Sequence, residues 1–352
     1  MRLDAIAREL WAGVLSGTAR IVTLTVLATI VSAGLSAADI VLTRRLIADA
    51  EAFQQAGAAT LTLSAEGQVD ASACKALAQV EGVRASGAIR RRALPVVASA
   101  LPGAPLTAFE TTPGFAAVLG SPGTGVVVPD EVADVLGLSE GDRIPTTEGV
   151  VEVGGTYPYP DDGRRPGFGW AALIETADTS PFDECWVLAW PQSDAMGSLL
   201  LGVLLPGADS ERPELGQLNG ALGARFDGMA LFDGRLTAWA PSLAAALVGV
   251  LAFVSVRGRR LSIASDLHAG ARRRDIATVM VVEGTTWLTA ALILTMGSTA
   301  ILAAPEALAD RGALLVQGAR VALASSAAGV AGIVAAVWSV RESHLVRYFK
   351  DR

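Results

Sequence analysis

Long apolar runs alternate with mixed segments along the chain, and four of the runs are long enough to cross a bilayer. About 20 apolar residues in a helix are needed for that. The pattern predicts transmembrane helices at residues 20–42, 236–256, 279–304 and 318–340. A cleaved signal peptide is the alternative for the first run, but the helix-like segment in front of it disfavours that interpretation.

The segment between the first and second runs, residues 43–235, has the short periodic pattern of a mixed domain. Alternating apolar and polar residues predict a strand at 59–65. Residues 149–159, which end in Gly/Pro punctuation, and residues 184–190 are also predicted as strands. Cap and stop residues predict helices at 70–83 and 211–226, and residues 125–144 read as strand, helix, turn and strand. The run 199–205 is too short to span and is predicted as a buried strand.

These patterns together predict the fold class: an α-helical membrane protein with four transmembrane helices and an α+β extracytoplasmic domain inserted between helices 1 and 2. Residues 1–19 add an amphipathic helix, because their apolar residues recur at helical spacing on one face. We expect this N-terminal helix to lie on the inner leaflet or against a partner.

The distribution of positive charge predicts the orientation of the chain. The segment 257–278 carries six arginines, whereas the loop 305–317 carries only Arg311. The tail 341–352 is also basic. The positive-inside rule therefore places both termini and the segment 257–278 in the cytoplasm, and residues 43–235 outside the membrane. The Ala/Gly/Arg-rich, Lys-poor composition indicates a high-GC bacterium, so we expect the membrane to be a bacterial plasma membrane. Arg44 and Arg45, just after the first span, are a local objection.

The predicted outer domain is acidic, and it holds both cysteines of the chain. Residues 43–235 carry 13 Lys and Arg against 25 Asp and Glu. This surface either keeps the domain soluble or attracts a cationic peptide. Cys74 and Cys185 allow one intramolecular pairing, and an oxidising compartment favours a disulfide between them over two buried thiols.

Several kinds of chemistry have no motif in the sequence. No phosphate-binding G-x-x-x-x-G-K-[ST] loop is present, and only two lysines and two histidines occur. The chain therefore has no Walker-type ATPase site and no Cys/His cluster for a metal. We expect it not to be an enzyme by itself, to bind no cofactor directly, and to bind no nucleic acid.

The stretch "RGRRLSIASDLHAGARRRDIATVMVVEG", residues 257–284, predicts a helical hairpin between two spans. A helix continues the second span to His268, and Gly270 permits the chain to reverse. A new helix begins within the arginines 272–274, with Asp275 near its positive end. The acidic side chain of Glu283 lies inside the next span, where an ion pair with a hairpin arginine would offset its burial.

This stretch resembles the cytoplasmic signature of FtsX-like and MacB-like ABC transporter permeases, which typically has paired arginines, a Glu-Ile-like pair, a Leu-Arg-Ala-Leu-Gly-Ala turn, a second arginine pair, an isoleucine and an intramembrane glutamate. The departures are Ser262, where the family commonly has Glu, and the sequence Asp266-Leu267-His268 in the turn. The order of one span, a large outer domain and three more spans is similar as well. The resemblance implies that the hairpin couples the chain to an ATPase through Arg259, Arg260, Leu267, Gly270, Arg272, Arg273, Arg274 and Ile276.

The resemblance implies a permease subunit that pairs with a second permease subunit, either identical or different, and binds a cytoplasmic ABC ATPase dimer, which alone holds ATP and Mg²⁺. The expected activity is export of a peptide or hydrophobic substrate. Mechanotransmission to an extracellular cell-wall enzyme is the first alternative, and a membrane-anchored receptor or scaffold without an ATPase is the second. Two smaller expectations concern the spans: Asp39 is interfacial and solvated, and the small residues 324–332 pack closely against another helix, such as the first span of the partner.

Overall fold

The computed structural model describes residues 20–207 and 213–341. The chain divides into two compact units, Ala48–Asp227 and the combination of Met1–Ile47 with Gly228–Arg352. We call the first the α/β unit and the second the helical unit. The predicted N-terminal helix 1–19 and the tail beyond residue 341 lie outside the described residues.

The helices and strands of the described residues follow in chain order. They are α1 (Ile21–Gln55), β1 (Thr60–Val69), α2 (Ala71–Ala76), β2 (Val83–Arg91), β3 (Thr107–Thr111), β4 (Val126–Pro129), α3 (Asp130–Leu136), β5 (Arg143–Thr146), β6 (Gly149–Tyr157), β7 (Ala171–Glu175), β8 (Phe182–Ala189), α4 (Ala195–Leu201), β9 (Glu214–Gln217), α5 (Gly228–Asp233), α6 (Ala240–Arg257), α7 (Arg260–His268), α8 (Arg273–Ala303) and α9 (Leu308–Ser339). Short 3₁₀ turns occupy Leu77–Gln79, Phe115–Leu119 and Leu236–Trp239.

The described strands of the α/β unit form one mixed sheet in the order β5-β6-β4-β7-β3-β2-β8-β1-β9. Two pairs, β3 with β7 and β4 with β6, are parallel, and the other neighbours are antiparallel. Together with four helices that are long and apolar enough to cross a membrane, this sheet confirms the predicted fold class.

Strand β8 lies inside the sheet and is buried on both faces. Side chains alternate across a strand, so neighbouring residues enter different cores. Cys185 packs with Leu63, Val187 and Met196 on one side, while Trp186 packs with Phe115 on the other. Both β8 residues are fully buried. The near-continuous apolar run of this strand is therefore the sequence signature of a central strand.

A disulfide joins α2 to β8 and confirms the predicted pairing. Cys74 and Cys185 are separated by 111 residues, and their Cα atoms lie 5.8 Å apart. Closing a loop of this length removes freedom mainly from the unfolded chain, an effect on the order of 3–5 kcal/mol. The link therefore ties the first helix of the α/β unit to the middle of its sheet.

Three predicted elements of the α/β unit differ in the structure. Residues 199–205 are not a buried strand: α4 ends at Leu201, and Leu200 points into the core as a helical residue. The predicted helix 211–226 is wrong as well, because residues 214–217 form the edge strand β9 against β1. The predicted helix 70–83 is shorter, with α2 ending at Ala76 before a 3₁₀ turn.

Within the helical unit, α6 and α9 approach very closely. A methyl group added at Gly332 of α9 would lie 2.3 Å from the carbonyl oxygen of Gly249 in α6, and one added at Gly249 would lie 3.2 Å from the carbonyl of Ala328. Small residues permit such packing between apolar helices. The expected close packing of the segment 324–332 is therefore confirmed against the second span of the same chain, and its packing with a partner's first span stays a prediction.

Candidate functional site

The predicted hairpin is present, and its turn is closed by a helix C-terminal motif. Helix α7 ends at His268, and Gly270 adopts a left-handed conformation with φ of 89°. The Gly270 N–H donates to the Leu267 carbonyl at 3.0 Å, and the Ala271 N–H donates to the Asp266 carbonyl at 3.0 Å. These two bonds are the Schellman pattern, in which a glycine satisfies the last carbonyls of a helix.

The second arm of the hairpin begins at Arg273 and continues as α8. Arg272 is its extended N-cap residue, and its carbonyl accepts from the Asp275 N–H at 2.9 Å and the Ile276 N–H at 3.2 Å. The carboxylate of Asp275 stands in the first turn, where the positive end of the helix stabilises negative charge. The first arm differs from the prediction in one respect: Gly258 and Arg259 interrupt the helix between α6 and α7.

Glu283 is paired with a hairpin arginine, as the sequence predicts. The Arg259 Nη1 donates to Glu283 Oε2 at 2.7 Å and to Oε1 at 2.8 Å. The glutamate side chain is 15% exposed and the arginine side chain 35%. The ion pair therefore connects the break between α6 and α7 to α8 at residue 283.

Two further arginines attach the hairpin to the end of α9. The Arg257 Nη1 donates to the Ser339 Oγ at 2.8 Å, and the Arg273 Nη1 donates to the Trp338 carbonyl at 3.3 Å. Guanidinium groups are favourable there because the last carbonyls of a helix carry partial negative charge. Three helices, α6, α8 and α9, are thus joined at the base of the hairpin.

The residues implied in ATPase coupling divide into two sets. Ile276 is buried, and Leu267 is half-buried against the same helical core; Ile263 and Ala264 are buried beside them. Arg259 and Arg273 are used within the chain, and Arg260 also interacts within it. The exposed members are Gly270, Arg272 and Arg274. Only these three of the eight predicted coupling residues are therefore exposed at the turn.

A second polar cluster, which the sequence analysis missed, lies at the opposite end of the same helices. The Arg235 Nε donates to Asp39 Oδ1 at 2.8 Å, and the Gln317 side chain donates to Asp39 Oδ2. The Thr43 hydroxyl lies 3.0 Å from Gln317 Nε2. Asp39 is 1% exposed, so the expectation of an interfacial, solvated carboxylate is wrong.

A row of polar residues on α1 leads to this cluster. Ser32, Ser36, Asp39 and Thr43 are all buried, and their spacing of four, three and four residues places them on one helical face. Ser36 shares a 3.1 Å hydrogen bond with Thr299 of α8, and Ser32 donates to Ser325 of α9 at 3.0 Å. This spacing within an apolar run is the signal that identifies the buried face.

Among the described residues, no group of three His, Cys, Asp or Glu side chains is arranged to hold a metal ion. Three carboxylates of the helical unit instead pair with arginines, since Glu306 accepts from Arg44 in addition to the two pairs above. The chemistry that this unit offers is therefore charge pairing between helices.

No known protein family and no curated protein matches the chain by sequence. Solved structures do match. The periplasmic region of MacB from Actinobacillus actinomycetemcomitans is 10% identical, with a TM-score of 0.34 over 47% of this chain and 91% of that one. The extracellular domain of the noncanonic ABC-type transporter YknZ from Gram-positive bacteria is 14% identical, with a TM-score of 0.28 over 40% of this chain and 88% of that one. Both come from the class of protein that the sequence resembles, but TM-scores this low describe a partial similarity and assign no function.

Proposed function

We propose that the chain is the permease subunit of an ABC transport system and that the hairpin between α6 and α8 receives the movement of a separate ATPase. Two such subunits would work as a pair with a cytoplasmic ATPase dimer. The expected outcome of the cycle is export of a peptide or hydrophobic substrate through movement of the α/β unit. The chain itself supplies no nucleotide site.

This proposal rests on one observation: the hairpin ends in an exposed basic turn, and side-chain contacts attach the base of the hairpin to the neighbouring helices. Arg272 and Arg274 are exposed at the tip, whereas Arg257, Arg259 and Arg273 connect the base to three helices. A force on the tip therefore reaches α6, α8 and α9 together instead of bending one loop. Packed helices respond to such a push by discrete shifts, because their close packing resists gradual deformation.

The charge distribution supports a cytoplasmic position for the hairpin. Six arginines lie between residues 257 and 274. At the other end of the helices, Arg44 is paired with Glu306 and Arg235 with Asp39. Arg44 is thus accounted for by a structural ion pair, which leaves the exposed Arg45 as the one arginine near the first span against the assignment, and the six arginines of the hairpin outweigh it under the positive-inside rule.

The test is co-purification of the full chain from the native membrane in mild detergent, followed by mass spectrometry for a protein with Walker motifs. The variant Arg272→Glu with Arg274→Glu reverses charge on the exposed tip and leaves the three bracing contacts intact. The matched control, Arg45→Glu, changes an exposed arginine at the other end of the helices.

We expect the unaltered chain and the control to retain the ATPase and the tip variant to lose it. Retention by the tip variant would remove the hairpin as the docking surface. Absence of any ATPase from the folded, unaltered chain would contradict the permease assignment and favour a membrane-anchored receptor or scaffold.

A further inference from the structure

The α/β unit contains a cavity of about 240 Å³ where β2, β3 and β8 meet the loop that precedes β7. Its wall includes three arginines, two carboxylates and two phenylalanines. Sites for whole drug-sized ligands are larger, roughly 300–1,000 Å³. This cavity therefore suits a single side chain or chain terminus.

Both carboxylates of the wall already accept hydrogen bonds from groups of the protein. Asp183 accepts from the backbone N–H of Gly67 at 3.0 Å and of Arg91 at 3.1 Å. Glu184 accepts from Arg165 Nη2 at 2.6 Å and from the Trp186 indole N–H at 2.7 Å. Each oxygen of the two groups thus has a protein donor, so they offer little to an incoming cation.

Arg90 is likewise occupied and contributes little free charge. Its Nε donates to Glu110 at 2.7 Å, and its Nη2 donates to Asp178 at 2.6 Å. A hydrogen bond from Ser180, together with the Arg90 guanidinium, holds the pKa of Asp178 well below its usual range. Asp178 therefore remains ionised beside Arg90 at neutral pH, and the arginine is balanced by two carboxylates.

The remaining cations have unused donors. Among the described residues, no hydrogen-bond or ion-pair partner contacts the exposed guanidinium of Arg91. Arg165 uses one nitrogen for Glu184, whereas a guanidinium carries five N–H donors. The unused hydrogen-bonding groups that line the cavity are therefore mostly donors, so a ligand must supply the acceptors.

One half-buried phenylalanine, Phe109, lies beside these donors, whereas Phe168 is only 2% exposed and backs it from the core. The rings of Phe109 and Phe168 are stacked with centroids 4.7 Å apart, and the Arg165 guanidinium lies 5.5 Å from the Phe168 ring. Phenylalanine rings bind apolar or aromatic groups, and a guanidinium above a ring is held in place by the ring's electrons. A ligand can thus meet an apolar wall and an arginine at once.

We propose that this cavity binds a carboxylate that is attached to an apolar or aromatic group, as at the C-terminus or an acidic side chain of a peptide. Arg91 would form charge-assisted hydrogen bonds with the carboxylate, and the half-buried ring of Phe109 would contact the apolar group. The local preference is opposite to the acidic charge of the whole domain. The inference goes beyond the proposed function and stands whether or not an ATPase docks on the hairpin.

The experiment titrates two probes, N-acetylphenylalanine and its neutral amide, against the full chain in lipid nanodiscs, with binding followed by saturation-transfer NMR and empty nanodiscs subtracted. The two probes share the ring and differ in charge. The variant Arg91→Gln removes the free guanidinium, and Arg91→Lys keeps the charge. The matched control, Arg143→Gln, removes an arginine that is 73% exposed on β5 and outside the cavity.

We expect the acid to bind about tenfold more tightly than the amide, a difference of about 1.4 kcal/mol. Arg91→Gln should remove this preference, Arg91→Lys should restore part of it, and Arg143→Gln should leave it unchanged, with the melting temperature the same in all variants. Equal binding of the two probes, binding of neither, or an equal loss in Arg143→Gln would each overturn the proposal.

Discussion

The two ends of the helical unit both pair a helix carboxylate with an arginine, but in different environments. Glu283 and Arg259 retain 15% and 35% of their side-chain exposure. Asp39 and Arg235 retain only 2% and 12%, and Gln317 also donates to Asp39. One pair lies beside an exposed basic turn, whereas the other is enclosed by helices.

This difference suggests different roles for the two pairs. The Arg259 side chain keeps about a third of its exposure at the break between α6 and α7, so this arginine can change partner at a lower cost than an enclosed one. A buried pair is different, because removal of one member leaves an uncompensated charge in an apolar setting. The hairpin end is therefore suited to rearrange if an ATPase docks there as proposed, and the Asp39 end is suited to hold α1, α9 and the start of α6 together.

The largest effect is expected for Asp39→Ala, which leaves Arg235 buried without a counter-charge. The loss should be about 3–5 kcal/mol of stability, the range for breaking a buried pair. Thermal unfolding of the purified chain in detergent measures it, with Asp49→Ala as the control because that side chain is exposed on the same helix. A melting temperature equal to that of the control would show that the cluster does not hold the helices.

The contact between α6 and α9 lies between the two ends. Gly332→Ala would place a methyl group against the Gly249 carbonyl, and such overpacking costs about 1–3 kcal/mol. Gly297→Ala is the matched control, since no atom lies within 4 Å of the added methyl in α8. Thermal unfolding should separate the two variants. Equal stability would mean that the helices move apart at little cost.

At the hairpin end, Glu283→Gln should reduce stability by about 1 kcal/mol or less, because the pair is partly exposed. The difference from the unaltered chain should shrink at high salt, which screens such charges. Glu306→Gln is the comparison variant, because the Glu306–Arg44 pair at the other end of the helices has a similar side-chain exposure. If exposure determines the effect, the two variants should lose a similar amount of stability. A loss as large as that of Asp39→Ala would show that exposure does not determine the effect.

The smallest effect on stability is expected for Arg272→Gln, within about 0.5 kcal/mol, because the side chain is exposed at the turn. The same variant should weaken retention of the co-purifying ATPase. A clear fall in melting temperature would place Arg272 in the structural base of the hairpin, together with Arg259 and Arg273.

The sequence predicted the hairpin well because its signals are local. Gly270 marks the turn, since few other residues adopt a left-handed backbone there. The arginines around it mark the new helix, and Glu283 needs a nearby cation because an isolated acid in a span is costly. Which arginine pairs with Glu283 was not predictable, because the break at Gly258 sets the direction of Arg259.

The errors occur where distant segments decide the structure. Residues 214–217 follow a helical pattern, yet their backbone groups pair with β1, and tertiary pairing overrides weak propensity. Leu200 and its neighbours are apolar enough for either a strand or a helix, and periodicity cannot separate short buried runs. Asp39 was misplaced because its partners, Arg235 and Gln317, are far away in sequence.

The sequence by itself determined the four apolar helices, the inserted domain, the turn at Gly270 and the single cysteine pairing. Run length and hydropathy determine the helices and the domain between them, and the backbone freedom of glycine determines the turn. Two cysteines allow only one intramolecular pairing. Only the tertiary structure decided that the carboxylate of Asp39 is buried, that α9 packs on α6, and that Arg91 lines a cavity with an unused guanidinium. Burial and partner choice depend on which segments meet in space, and neighbouring residues along the chain do not specify that.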